Sequence, residues 1–483
     1  MRYVVIILSL VSILGCNRGT DESARPTTEP VGTTGEHFTD TVASRAIAFP
    51  VVSPAPRPTG PLPAGASCMT AECHADYSRA PQVHSPVAQV ACDACHAGDV
   101  GGHKFPLKRQ GTELCTFCHS VAGTEEVQHK ALEQGCLVCH QPHTSRAKFL
   151  LKADTVERSC ATCHEIPLQP YAHEPFLKGQ CTVCHQPHQA DNKNLLRGGG
   201  GSKHCFTCHN DLGAAMASAS IVHKPAAQDC DTCHNPHATA FPHQLRAPVE
   251  QNCLSCHEKI REVVKTANVQ HAAMVTVDSC ANCHNPHASD QPALLAHRMD
   301  QTCLSCHDKP VAAADGHMIA NMKPVLTTSE FLHGPIRAGS CSGCHDPHGS
   351  KFPNLLDKAF PDTFYTAFAE SKYALCFSCH NSQLVLEGKA QGLTNFRDGD
   401  RNLHFVHVNR DDKGRSCKTC HAIHGSNLPN HMASEVPFEG SNWAMPIEFV
   451  KKADGGSCAP GCHVPKTYSR GLPTTFPTTR GAP

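Results

Sequence analysis

A single tryptophan, Trp443, and an aromatic content of 5% leave this 483-residue chain without the large side chains of a conventional core. Its 36 prolines and 34 glycines work against long helices and strands. A formal net charge of −1 with histidine neutral supplies no basic excess for phosphate, which argues against a nucleic-acid partner. The apolar run Val4 to Leu14 is too short to span a membrane. Against these shortages stand 31 cysteines and 36 histidines.

The cysteines are ordered. Thirteen CxxCH segments begin at Cys92, Cys115, Cys136, Cys160, Cys181, Cys205, Cys230, Cys253, Cys280, Cys303, Cys341, Cys376 and Cys417. Two stretched variants run Cys68 to His74 and Cys458 to His463, with four and three residues between the thiols. CxxCH is the attachment signature of c-type haem: two thiols bond to the porphyrin edge and the next residue, histidine, swings under the iron. Fifteen such sites use 30 cysteines, closing Cys95, Cys118, Cys139, Cys163, Cys184, Cys208, Cys233, Cys256, Cys283, Cys306, Cys344, Cys379, Cys420, Cys73 and Cys462 into them. Only Cys16 is left over, so no disulfide is expected. The proximal ligands are then His74, His96, His119, His140, His164, His185, His209, His234, His257, His284, His307, His345, His380, His421 and His463. Zinc is the alternative for any single CxxC, but thirteen histidines directly after the second cysteine argue against it.

The sites fall into pairs, and the first cysteines of three successive pairs, Cys115, Cys160 and Cys205, are spaced by 45. Between the members of each pair lies a linker histidine: His84, His129, His173, His223, His271, His333 or His407. In six pairs a further histidine stands three residues after the second proximal one: His143, His188, His237, His287, His348 and His424. The first pair lacks it, and His103 is the nearest substitute. These are candidate sixth ligands, and an iron with imidazole on both faces is saturated and suited to electrons rather than substrate. Residues three apart on a helical turn lie on one face. His143 is therefore on the same side of the porphyrin as His140 and should serve a neighbouring haem. For the last haem the sixth ligand is sought among the unassigned histidines (His37, His204, His243, His297, His317, His404, His431) or Met432 and Met445, with His431 preferred.

The expected fold is organised by haem: mostly irregular, with short α-helices and very little β-structure, an elongated repeat of two-haem modules. Residues 1–15 read as an export signal ending Leu14-Gly15-Cys16, which resembles the lipobox of bacterial lipoproteins. That resemblance implies a lipid anchor on Cys16, and Asn17 tips the destination to the outer membrane without settling the leaflet. Residues 16–65 read as a Pro/Thr/Gly tether. Residues 66–300 hold five modules with ten haems, 301–463 two extended modules and a final haem, and 464–483 a flexible tail. The stretches 318–332 and 384–409, which lengthen the late modules, read as packing or as docking surface.

The doubled CxxCH pattern, written CHNPH at His234 to His237 and His284 to His287, resembles the multihaem c-type cytochromes, and among them the outer-membrane and extracellular cytochromes of metal-respiring bacteria. The resemblance covers about Cys68 to His463. It implies haem attachment in the periplasm, bis-histidine ligation and closely packed haems carrying electrons between periplasm and exterior. Other cytochromes or a porin would be partners, and a metal or another acceptor would lie outside. No catalytic residue is read. Two other functions are a reductase of nitrite, hydroxylamine or a sulfur oxyanion, which needs an open iron, and a protomer of a haem filament. Histidines exceed the 30 that full bis-histidine ligation requires, and no CxxCK occurs, which weakens the reductase. The mass of the purified protein should exceed that of the chain by fifteen haems; an excess of thirteen would exclude the two stretched sites.

Overall fold

The computed structural model describes residues 67–471 except 71, 72, 122–124, 314, 315, 390, 391 and 440. The export signal, Cys16, the tether with His37 and the end of the tail lie outside the described residues. Among the described residues helices are short, none exceeding nine residues, and strands run two to four residues in small antiparallel ladders. Among the described residues no helix is long and apolar enough to cross a membrane, and none of the described cysteines is in a disulfide.

Each CxxCH is one turn of backbone, closed by the histidine N–H donating to the carbonyl of the first cysteine, as in His140 to Cys136 at 3.1 Å and His164 to Cys160 at 2.9 Å. The first member of a pair makes this turn inside an α-helix, as in Val156–Ala161 and Val249–Leu254. The second member usually makes it as a tighter 3-10 turn, as in Cys136–Val138 and Cys230–Thr232. At the stretched first site the His74 N–H still reaches the Cys68 carbonyl, at 3.1 Å, so the closure is intact. The last site differs: Cys458 ends the strand Gly455–Cys458, and His463 bonds Pro460 instead. Pro460 has no N–H to give to a helical turn.

Modules interlock through backbone. The strand before a linker histidine pairs with the strand that follows the plus-three histidine of the next module: Val83 opposite Thr144, Val127 opposite Ala190, Ala172 opposite Ala238, Val222 opposite Ala288 and Leu332 opposite Gly425. The ladder continues into the histidines, with His84 N–H donating to the His143 carbonyl at 2.9 Å and His129 to His188 at 2.8 Å.

Apolar side chains cluster only near the C-terminus, around Phe364, Ala433, Val436, Met445 and Ile447 and around Tyr373, Val385 and Val408. The other buried hydrophobic residues are scattered, such as Ala147, Met216 and Ala288. Residues 384–409 are a packed insertion: a hairpin of Arg397–Asp398 and Arg401–Asn402 leads into the helix Leu403–Val408. The stretch read as a tail begins with a strand, Lys466–Ser469, paired to Gly455–Cys458 in a three-stranded sheet. Glycine is required there, because a Cβ on Gly455 (φ 152°) would stand 1.9 Å from the Tyr468 carbonyl oxygen.

Asn402 pins the insertion. It is fully buried, caps the helix by accepting from the His404 and Phe405 N–H groups, and donates to the carbonyls of Leu384 and Glu387. Asn402→Ala strands those groups at roughly 1–3 kcal/mol for a buried unsatisfied group. The expected result is faster amide exchange across 384–409 with the exchange of 127–300 unchanged.

Candidate functional site

Along the described chain imidazoles face each other in fourteen pairs, with centroids 5.9–6.4 Å apart and planes within 35°. A metal–nitrogen bond of about 2 Å on each side, plus roughly 1 Å from each nitrogen to its ring centre, adds up to about 6 Å. The gap therefore fits one iron with two axial imidazoles.

Two rules generate twelve of the pairs. A linker histidine faces the proximal histidine of the following first-type site: His84 with His119, His129 with His164, His173 with His209, His223 with His257, His271 with His307, His333 with His380. A plus-three histidine faces the proximal histidine of the preceding second-type site: His143 with His96, His188 with His140, His237 with His185, His287 with His234, His348 with His284, His424 with His345.

The ends of the repeat break both rules. His74 has no preceding module, and His103 faces it at 6.2 Å. His421 has no following module, and His404 of the insertion helix faces it at 6.4 Å. Sequence reasoning left His404 unassigned. The signal available was its place three residues before His407, which repeats the spacing of His140 and His143. His431, preferred for the last haem, instead lies edge-on to His333 at 5.7 Å. It fills the loop slot that Leu150, Leu195, Gln244, Leu294 and Leu355 hold in earlier modules. Of the two methionines, Met445 places its sulfur 3.2 Å from the Cys462 sulfur, beside the last attachment site, and Met432 bridges to His421. Burial pushes His407 below its ordinary range, with the charges of Arg415 and His463 adding in the same direction; its Nδ1 meets the Leu403 carbonyl at 2.7 Å and Phe396 stacks on its ring at 5.7 Å.

A loop that the motif does not advertise orients the second-type ligands. Nine residues after each, a backbone carbonyl meets the ring Nδ1: His96 with Phe105, His140 with Phe149, His185 with Asn194, His234 with His243, His284 with Ala293, His345 with Asn354 and His421 with Asn430, all at 2.8–3.0 Å. In six of these loops that residue and the next have positive φ, as in Asn354 at 56° and Leu355 at 55°. No β-branched residue stands at those positions, where it would be most strained. Linker histidines are held likewise, His84 by the Pro142 carbonyl and His223 by the Pro286 carbonyl, each at 2.9 Å. With Nδ1–H donating, Nε2 keeps the lone pair that a metal needs.

Burial pushes the imidazoles below their ordinary range, His404 down to about 4, and His143, His188, His237, His287, His348, His421 and His424 in the same direction. They are neutral at pH 7, the form that ligates. Within the touching thiol pairs the shift is split: burial and the neighbouring sulfur push Cys115 and Cys160 up to about 11, while the hydrogen bond from the partner thiol brings Cys230 and Cys280 down to about 6. Among the described residues no group of three or more His, Cys, Asp or Glu could hold a bare metal ion.

The first cysteines of a pair touch: Cys68 with Cys92, Cys115 with Cys136, Cys160 with Cys181, Cys205 with Cys230, Cys253 with Cys280, Cys303 with Cys341 and Cys376 with Cys417. Successive pairs adjoin through others, such as Cys184 with Cys208, Cys283 with Cys306 and Cys420 with Cys458.

The sequence model of the doubled CXXCH motif matches six tandem segments, 84–124, 129–166, 173–214, 223–262, 271–312 and 333–384, more than half of the chain. The chain belongs to the doubled CXXCH motif family. It is thus a multihaem c-type cytochrome, with haem c bound covalently and electron transfer as its business. No curated protein matches it. Each family segment opens at a linker histidine and takes in two CxxCH sites, framed one site later than the pairs counted from Cys68. In this cytochrome a linker pair such as His84 and His119 therefore lies inside one segment, while a plus-three pair such as His96 and His143 joins two. The sites at Cys68, Cys417 and Cys458 fall outside the matched segments.

Proposed function

We propose that this cytochrome holds fifteen haems, one at each CxxCH and stretched site, and is an electron conduit in an outer-membrane or extracellular respiratory chain. Haem c supplies one-electron exchange between ferric and ferrous iron. The observation that carries the reading is the set of fourteen facing histidine pairs, each spaced for one six-coordinate iron. On this assignment the cysteines and proximal histidines named above attach the haems, and the linker and plus-three histidines, with His103 and His404, complete the ligation. His407 serves the haem at His463. The alternating sulfur contacts from Cys68 to Cys458 support a path that follows chain order, since neighbouring attachment points bring neighbouring porphyrin edges together. Anchoring through lipid on Cys16 places the conduit at the outer membrane, where another cytochrome or a porin hands electrons on and a metal or other acceptor receives them.

A second reading, a reductase with one open iron, draws on one observation. Among the described proximal histidines, His463 is without a parallel imidazole at the 6 Å spacing of the others, and its helical closure is missing.

Low-temperature EPR of the oxidised holoprotein separates the two. The conduit reading expects every haem low-spin, with nitrite and hydroxylamine leaving the spectrum unchanged; a stoichiometric high-spin signal that nitrite converts would instead establish the reductase. His404→Ala should create one high-spin haem, and His431→Ala none. In a fractionated cell, Cys16→Ala should move the protein from the membrane to the soluble fraction.

A further inference from the structure

We propose that Asp346 acts as a positioning residue on His348 and holds the haem between His284 and His348 below the potentials of the neighbouring sites of its type. The inference rests on the bis-histidine reading above.

The residue directly after the proximal histidine has one job common to several modules. Asn235 Oδ1 accepts the backbone N–H of His237, and Asn285 Oδ1 that of His287, each at 3.1 Å. Asp346 Oδ1 does the same for His348 at 3.0 Å. The cradle is shared, and only the charge differs. Across the six modules with a plus-three histidine this position reads Gln141, Gln186, Asn235, Asn285, Asp346 and Ala422, so a carboxylate occurs once. In that one module the same oxygen also stands 3.3 Å from the ring Nδ1 of His348. Both side chains are 29% exposed, which limits screening by water.

Two effects act in one direction. A carboxylate beside Nδ1–H makes an axial imidazole more basic, and a fixed negative charge near the iron favours the ferric over the ferrous state, which carries one positive charge less. Adding one electron at this site is therefore harder than at its neutral counterparts. His348 faces His284 at 6.2 Å with planes 11° apart, so the carboxylate acts on that iron. Electrons entering the chain then rest on the sites to either side, and the His284 haem is among the last to be reduced.

The test is a potentiometric titration of the holoprotein, followed by optical absorption and EPR, for the wild type, Asp346→Asn and Asn285→Asp. Asparagine occupies the same cradle at Asn235 and Asn285, so Asp346→Asn preserves the backbone bond. One haem's share of the amplitude should move to higher potential in Asp346→Asn and one share to lower potential in Asn285→Asp, with all haems low-spin throughout. Curves that superimpose on the wild type, with low-spin haems, overturn the role of Asp346. A high-spin haem already in the wild type would instead strike at the ligation on which it rests. Should Asp346→Asn not assemble, Asn285→Asp decides alone: absence of a downward shift refutes the proposal.

Discussion

An imidazole that follows its attachment turn cannot reach round the porphyrin, so every iron must draw its second ligand from elsewhere in the chain. The rest of the structure answers that constraint. A plus-three histidine is turned to the preceding module by the strand it opens: the link from His140 to His143 is not helical, and the backbone ladder between Val83 and Thr144 or Ala172 and Ala238 brings the segments into register. Linker strands of two residues are enough. Each ladder carries little stability alone, and the porphyrin clamped between two histidines supplies what a thin core does not. This is why a chain with few aromatic residues can dispense with a continuous apolar interior, and why its apolar clusters gather only where the repeat stops.

The C-terminal third ends the repeat by a different chemistry. A module's second-type haem waits for a histidine from the next module, and after His421 none follows. The insertion 384–409 fills that place. Its hairpin and buried Asn402 fix a helix that presents His404 toward His421, with Thr394 Oγ1 3.1 Å from the His404 Nδ1. At the other end His103, at φ 59°, does the same for His74 from a strained loop. His404 comes from a segment with no counterpart in the regular modules, whereas His103 comes from the same loop whose Phe105 carbonyl holds His96.

Much of the candidate site could be read directly. The attachment turns, the proximal histidines and the recurrence of linker and plus-three histidines are local, since each depends on residues within a few positions of one another. Helix geometry set His143 apart from His140, and His143 does face His96, although the link from His140 to His143 is not helical. Harder to see were partners set by the ladder, the carbonyl nine residues on from each second-type histidine, and the substitutes at the ends. Thus His431 looked available by elimination, yet its loop position, occupied by leucine in four other modules and by Gln244 in one, sets it edge-on to His333. The stretch after 464 looked like a tail because Thr, Pro and Gly dominate its composition, while Lys466–Ser469 is held by Gly455–Cys458 through backbone bonds to which composition is blind.

Sequence by itself determined the family, the covalent cofactor and the first ligand of each haem, because a thiol pair and its adjacent imidazole act within one turn of chain. It determined also that the fold must be irregular and repetitive, since no apolar periodicity offers an alternative. Tertiary structure alone decided which imidazole faces which, that Asp346 reaches a ring where Asn285 offers no charge, and that the insertion 384–409 sets His404 opposite His421. The imidazole pairing depends on contacts between segments 17 residues apart, as in His404 with His421, to 79 apart, as in His345 with His424, far beyond the reach of local preference.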